Sequence, residues 1–218
     1  MLKIAFCLTL LPGLALGEPV TCPGGQITLT GESPYGNRIC KVAEQAVEEL
    51  ASCNLPLFRP ISVSLADELE DNCVGLYHCG EDRIELLRPE RLSAIIDQSA
   101  LFSQLGLMEY FDSILFHELA HAAADAIPCP NATCPATSEY LAYALQIRAL
   151  SPENREKIGL GDVPETIVGR DAINAIMVFW APDRFARAAW THLMQRPDPC
   201  RYVGLIARGN IIFDVERP

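Results

Sequence analysis

The sequence predicts an α+β fold. Three observations carry that prediction. Short alternating stretches suited to strands fall within the first 87 residues. Apolar residues at helical spacing dominate from residue 89 onward, with one further helical stretch early in the chain. Two of the alternating stretches are separated by Gly80-Glu81-Asp82, the composition of a hairpin turn.

Taken in order, residues 18–37 are rich in Gly and Pro and hold one alternating stretch, 26–30, which reads as a strand. Residues 38–51 read as a helix, because Ile39, Val42, Ala43, Ala46, Val47 and Leu50 recur on one side. The Pro-containing segment 55–60 breaks it, and 61–65 alternates again as a second strand. Residues 67–72 read as an acidic turn or short helix on a solvated face. Residues 74–79 and 83–87 form the expected hairpin. A helix is expected over 89–102, with Leu92, Ile95, Ile96 and Ala100 on one side. The next helix spans 110–127 and is stopped by Pro128. After a loop, Thr137 or Ser138 is expected to cap a helix over 139–150. Residues 152–162 are turn-like, and 170–180 and 184–194 are two more helices separated at Pro182. Residues 202–206 and 210–213 read as strands or packing arms. With no internal repeat or boundary, residues 18–218 are read as one domain.

Residues 1–17 have the makings of a signal peptide. Lys3 supplies a positive start, residues 4–11 are apolar, and Ala15-Leu16-Gly17 is a small-x-small cleavage site. The apolar run falls far short of the ~20 residues that cross a bilayer, so stable membrane insertion is not expected. A net charge of -11 without a basic run argues against nucleic acid and anionic membranes as partners. The expected location is secreted or periplasmic.

Removal of residues 1–17 takes the cysteines from nine to eight, which in an oxidising compartment reads as four disulfides. Cys129 and Cys134 flank a short loop and are expected to pair, and Cys73 and Cys79 are candidates for another short bridge. Cys40 and Cys53 lie near opposite ends of one helix, roughly 20 Å apart, so each must reach elsewhere. Asn131-Ala132-Thr133 is a glycosylation sequon, relevant only in a eukaryotic secretory pathway.

The chemistry centres on His117-Glu118-Leu119-Ala120-His121. Histidines four apart share one helix face, so both rings reach one metal ion, and Glu118 is placed to act on a water there. Leu115, Leu119, Ala122 and Ala126 project from the other side, available for burial. A catalytic zinc takes three protein ligands and leaves one position open. Glu139, 18 residues after His121, is the candidate third ligand, brought back by a helix–loop–helix return.

This pair of stretches, His117-Glu118-Leu119-Ala120-His121 followed by Ser138-Glu139-Tyr140-Leu141-Ala142-Tyr143, resembles the gluzincin branch of the zincin metallopeptidases. The resemblance covers roughly residues 108–150. It implies a zincin-like catalytic domain with a small mixed sheet, an active-site helix and a C-terminal helical subdomain, stabilised by disulfides. It implies Zn2+ on His117, His121 and Glu139, with Glu118 as general base. It also implies hydrolysis of peptide or protein substrates, aligned along a strand within residues 74–87. A metzincin would need Gly at 124 and His at 127, where this chain has Ala124 and Ile127. Many gluzincins carry an Asp four residues after the third ligand; here that residue is Tyr143, and Asp125 is a candidate imidazole partner instead. Tyr140, Tyr143, His78 and His192 are candidate oxyanion donors. The alternative is a zincin-fold protein that binds zinc or a peptide without turnover.

Overall fold

The computed structural model describes residues 18–70, 73–97 and 99–215; the signal-peptide reading of residues 1–17 lies outside them. Five strands form one sheet: β1 (Val20–Thr21), β2 (Ile27–Thr30), β3 (Ile61–Ala66), β4 (Gly75–His78) and β5 (Arg83–Leu87). Their spatial order is β1-β2-β3-β5-β4. β2, β3 and β5 run parallel, while β1 and β4 pair antiparallel to their neighbours, so the sheet is small and mixed.

Alternation decides which sheet face is covered. Ile27, Leu29, Ile61, Val63, Tyr77, Ile84 and Leu86 are buried on one side, while intervening Thr28, Ser62, Ser64 and Glu85 are not. Helix α1 (Gly36–Ser52) and helix α3 (Leu107–Ala124) take part in the same core. α1 does so through Ile39, Ala43, Ala46 and Leu50, the spacing seen in its sequence. α3 is apolar on nearly all sides and is enclosed accordingly, with Leu115, Leu119 and Ala122 buried. The remaining helices are α2 (Pro89–Ile95), α4 (Pro135–Ala149), α5 (Pro152–Lys157), α6 (Ala175–Trp180), α7 (Pro182–Met194) and α8 (Pro199–Ala207). The fold is therefore α+β, with the helices from α4 onward following the sheet in sequence.

Several boundaries differ from the sequence reading, each for a local reason. The helix expected over 89–102 stops at Ile95, because Ile96 turns extended (ψ 120°) and a separate 3-10 turn forms at Leu101–Gln104. α3 ends at Ala124 rather than at Pro128, which leaves Ala126 exposed outside it. The helix over 170–180 is interrupted, and Asn174 caps a fresh start by accepting from Met177 N. Pro152–Lys157, expected as a turn, is a short helix capped by Ser151. Residues 202–206 are helical, within α8, because Asp198 caps that helix and Pro199 opens it.

α4 begins four residues before the expected start. Neither Thr137 nor Ser138 is its N-cap; both lie inside its first turns. The free amides there are met from the far end of the chain. Asp214 accepts from Ala136 N (2.8 Å), Thr137 N (2.9 Å) and Thr137 Oγ1 (2.7 Å), while Phe213 N donates back to Thr137 Oγ1 at 2.8 Å. The 211–213 arm is thus a clamp on the N-terminus of α4, and Phe213 is buried beside it.

Three disulfides are formed among the described residues: Cys22–Cys40, Cys53–Cys200 and Cys129–Cys134. The second ties the end of α1 to the start of α8 across 147 residues, a closure worth about 5 kcal/mol in the chain-entropy account. The expected Cys73–Cys79 bridge is not made, since Cys79 carries an exposed free thiol. Extended β4 lies between the two positions. No helix among the described residues is long and apolar enough to cross a membrane.

Candidate metal centre

His117 and His121 stand one turn apart on α3, and Glu139 stands in the second turn of α4. These two helices make the most extensive helix pairing in the molecule, closed by the Cys129–Cys134 loop between them. Their packing brings the three side chains together. One ligand atom from each residue lies within 4.8 Å of the others. His117 Nε2 is 3.0 Å from His121 Nε2, and Glu139 approaches the two nitrogens at 3.5 and 3.4 Å.

The outer nitrogens of both rings are held by the protein. Ser113 Oγ donates to Tyr110 O at 2.8 Å, so it accepts from Gln146 Nε2 at 3.1 Å. Gln146 Oε1 then faces His117 Nδ1 at 3.0 Å and must accept its proton. This fixes the tautomer: the lone pair of His117 is on Nε2, toward the shared point. His121 Nδ1 lies 2.8 Å from Ser138 Oγ, which turns its Nε2 the same way.

The electrostatics match the geometry. Burial works to raise the Glu139 carboxyl, but hydrogen bonds and charge from His117 and His121 overcome it and hold it well below the usual carboxylate range. Burial works to lower the His121 imidazole, and Glu139 and Glu118 more than offset that. The cluster therefore favours positive charge where the ligand atoms converge. Two imidazole nitrogens, one carboxylate and ordered outer partners form a donor set that could hold a divalent metal ion.

Glu118 is buried on the same stretch of α3, and its Oε2 accepts from Tyr77 N at 2.8 Å. That contact needs β4 to lie very close to α3. Gly75 allows it: a Cβ there would sit 2.6 Å from Ile114 Cγ2 and 2.8 Å from Glu118 Oε1. β4 is also the edge of the sheet. Val74 O bonds to Leu87 N on the inner side, so by strand alternation Gly75 and Tyr77 point their backbone groups outward, and Tyr77 N is the one taken by Glu118.

The His117–His121–Glu139 cluster, Glu118 and residues Gly75, Leu76 and Tyr77 of β4 line one cleft of about 720 Å³. Of the oxyanion candidates, Tyr143 lines it, with its ring edge-on to His117 at 4.6 Å between centroids. Tyr140 is fully buried and hydrogen-bonds His192 Nδ1 at 2.8 Å. His192 is itself buried, and that burial pushes it down to about 4. The Tyr140–His192 pair is core structure. His78 sits on Glu85 at 2.7 Å and is not among the cleft residues. Asp125 is not an imidazole partner: it pairs with Arg59, and Ser138 takes the place at His121.

Gln146, Ser138 and Ser113 escaped the sequence reading as partners of the cluster. The signal was helical spacing: Ser113 is four residues before His117, and Gln146 is seven after Glu139, both same-face intervals. Gln146→Ala is expected to weaken zinc affinity by roughly 10–100-fold without displacing α4, measured by competition with a chromophoric chelator. Unchanged affinity would remove Gln146 from the site.

No curated protein and no solved structure matches this chain. A family model described as a family of unknown function, DUF6639, matches residues 27–216, a span that contains every residue of the cluster and its outer partners. Most of its length being matched by that model, the chain belongs to DUF6639.

Proposed function

We propose that this protein is a zinc-dependent metallopeptidase of zincin type, with a gluzincin-like ligand set, acting outside the cytoplasm. The observation that carries the reading is the convergence of His117, His121 and Glu139 beside a buried Glu118 in a cleft bordered by an edge strand. His117 and His121 through Nε2, and Glu139 through its carboxylate, would hold the ion. Bound there, zinc supplies Lewis acidity, lowering the pKa of a water and polarising a substrate carbonyl.

The remaining work falls to side chains and backbone of this chain. Glu118 takes a proton from the attacking water and returns it to the departing amine. Its Oε2 is anchored to Tyr77 N, which leaves Oε1 for proton transfer. The outward backbone groups of β4 other than Tyr77 N align an extended peptide by adding it to the sheet edge. Tyr143, beside His117, is the oxyanion donor that the cleft favours among the tyrosines and histidines considered; burial holds its hydroxyl protonated. Disulfides are bonds of oxidising compartments, which supports export.

The test is metal content followed by hydrolysis. The purified protein is expected to bind about one zinc per chain and to cleave members of a diverse peptide mixture. A chelator should stop cleavage, and added zinc should restore it. Zinc bound with no peptide cleaved would leave a binding protein; failure to bind zinc would overturn the reading.

A further inference from the structure

The cleft has a second chemical feature beyond the metal cluster. Tyr143, whose ring meets His117, is one of three aromatic rings that stack in a row with Phe102 in the middle. Phe102 lies 6.3 Å from Tyr143 and 6.2 Å from Tyr110, with interplanar angles of 12° and 3°. Asp183 lines the same cleft and is tied to this row, because its Oδ2 accepts from Leu101 N at 2.9 Å, next to Phe102. Pro182 opens α7, so Asp183 stands in its first turn, where the helix dipole holds an anion in place.

The charges in the cleft do not balance without a ligand. Its carboxylates are Glu118, Asp125, Glu139 and Asp183, and no Lys or Arg is among the described residues lining it. A divalent ion held by His117, His121 and Glu139 would offset Glu118 and Glu139. Arg59 pairs with Asp125. Asp183 has no ion-pair partner among the described residues, and its second oxygen is not held by Leu101 N. A carboxylate beside a row of aromatic rings suits a long side chain with an aliphatic stem and a cationic head. The half-buried Tyr110 and Tyr143, with the buried Phe102 between them, take the stem and the delocalised charge, and the carboxylate takes the head.

We propose that this shelf, made by Tyr110 and Tyr143 on either side of Phe102 and flanked by Asp183, is a specificity subsite for a Lys or Arg side chain beside the scissile bond. The proposal rests on the peptidase reading and adds the substrate class. It also excludes acidic side chains from that position, since Asp183 would meet a like charge in a partly desolvated cleft. The net charge of -11 draws basic peptides toward the molecule at longer range.

Two measurements on zinc-loaded full-length mature protein test it. In the first, the enzyme and its Asp183→Asn and Asp183→Lys variants are given peptides that differ at one residue, Arg, norleucine or Glu, on either side of a common bond. In the second, the same peptides are bound to these forms in a Glu118→Gln background. Asn keeps an acceptor for Leu101 N, so Asp183→Asn retains the fold. The expected result is a preference for Arg over norleucine of roughly tenfold or more. Asp183→Asn reduces it to within about twofold, and Asp183→Lys turns the preference toward Glu. Cleavage with no basic preference, or a preference that survives Asp183→Asn, overturns the subsite and leaves the peptidase standing. A binding preference that follows Asp183 without any cleavage supports the subsite and overturns the peptidase.

Discussion

Glu118→Gln is expected to leave zinc on the protein and to reduce peptide hydrolysis by roughly 10²–10⁴-fold, the range for loss of a positioned general acid–base. That is roughly 3–5 kcal/mol of barrier. The substitution is close to isosteric, so its structural effect is small: the Gln carbonyl can still accept from Tyr77 N at the 2.8 Å position held by Oε2. What is lost is the basic oxygen. Glu118 is not one of the converging ligand atoms, so metal content should not follow activity. Parallel zinc analysis and initial rates on one preparation measure both quantities. Retained turnover would remove Glu118 from the chemistry. Loss of zinc would place it among the ligands.

Glu139→Ala is expected to have the opposite pattern, with metal lost first and activity in consequence. One of three protein donors disappears, so affinity should fall by more than the roughly 100-fold upper figure for removing an outer partner. The two imidazoles, held by Gln146 and Ser138, remain aimed at the same point. Weak residual binding is therefore expected rather than none. The fold should persist, because α4 is anchored by Asp214 at its start and by buried Leu141, Leu145 and Ile147 along its length. Zinc retained at wild-type affinity would require a different third ligand.

The parts of the site that could be read from the chain are those set by local geometry. His117 and His121 face one way because four residues make about one helical turn, whatever surrounds the helix. The α1 stripe and the strand alternation at residues 61–65 were legible for the same reason, since burial follows a period of 3.6 or 2. Where the apolar pattern ran on across a local backbone turn, the pattern by itself was insufficient. Apolar residues at 95, 96 and 100 suggested one continuous helix, yet Ile95 is exposed and the chain turns extended at Ile96. Cys73 and Cys79, close in sequence, are not bridged to each other, and a strand lies between them.

From sequence alone came the α+β class, the histidine pair with its adjacent glutamate, and a third-ligand candidate on the next helix. The histidine pair and its glutamate rest on interval within one segment, the third-ligand candidate on a short return between two helices, and the class on the periods of successive segments. Tertiary structure decided whether Glu139 meets the histidines, because that depends on α3 packing against α4. It also decided that the tail, through Asp214, holds the start of α4, a contact between residues 78 apart. Gly75 lets β4 approach Glu118, and Gln146 orients His117, again across elements. The physical reason is common to all of these. Periodicity fixes directions around one axis, while the distance between axes is set by how side chains from remote segments fill the space between them.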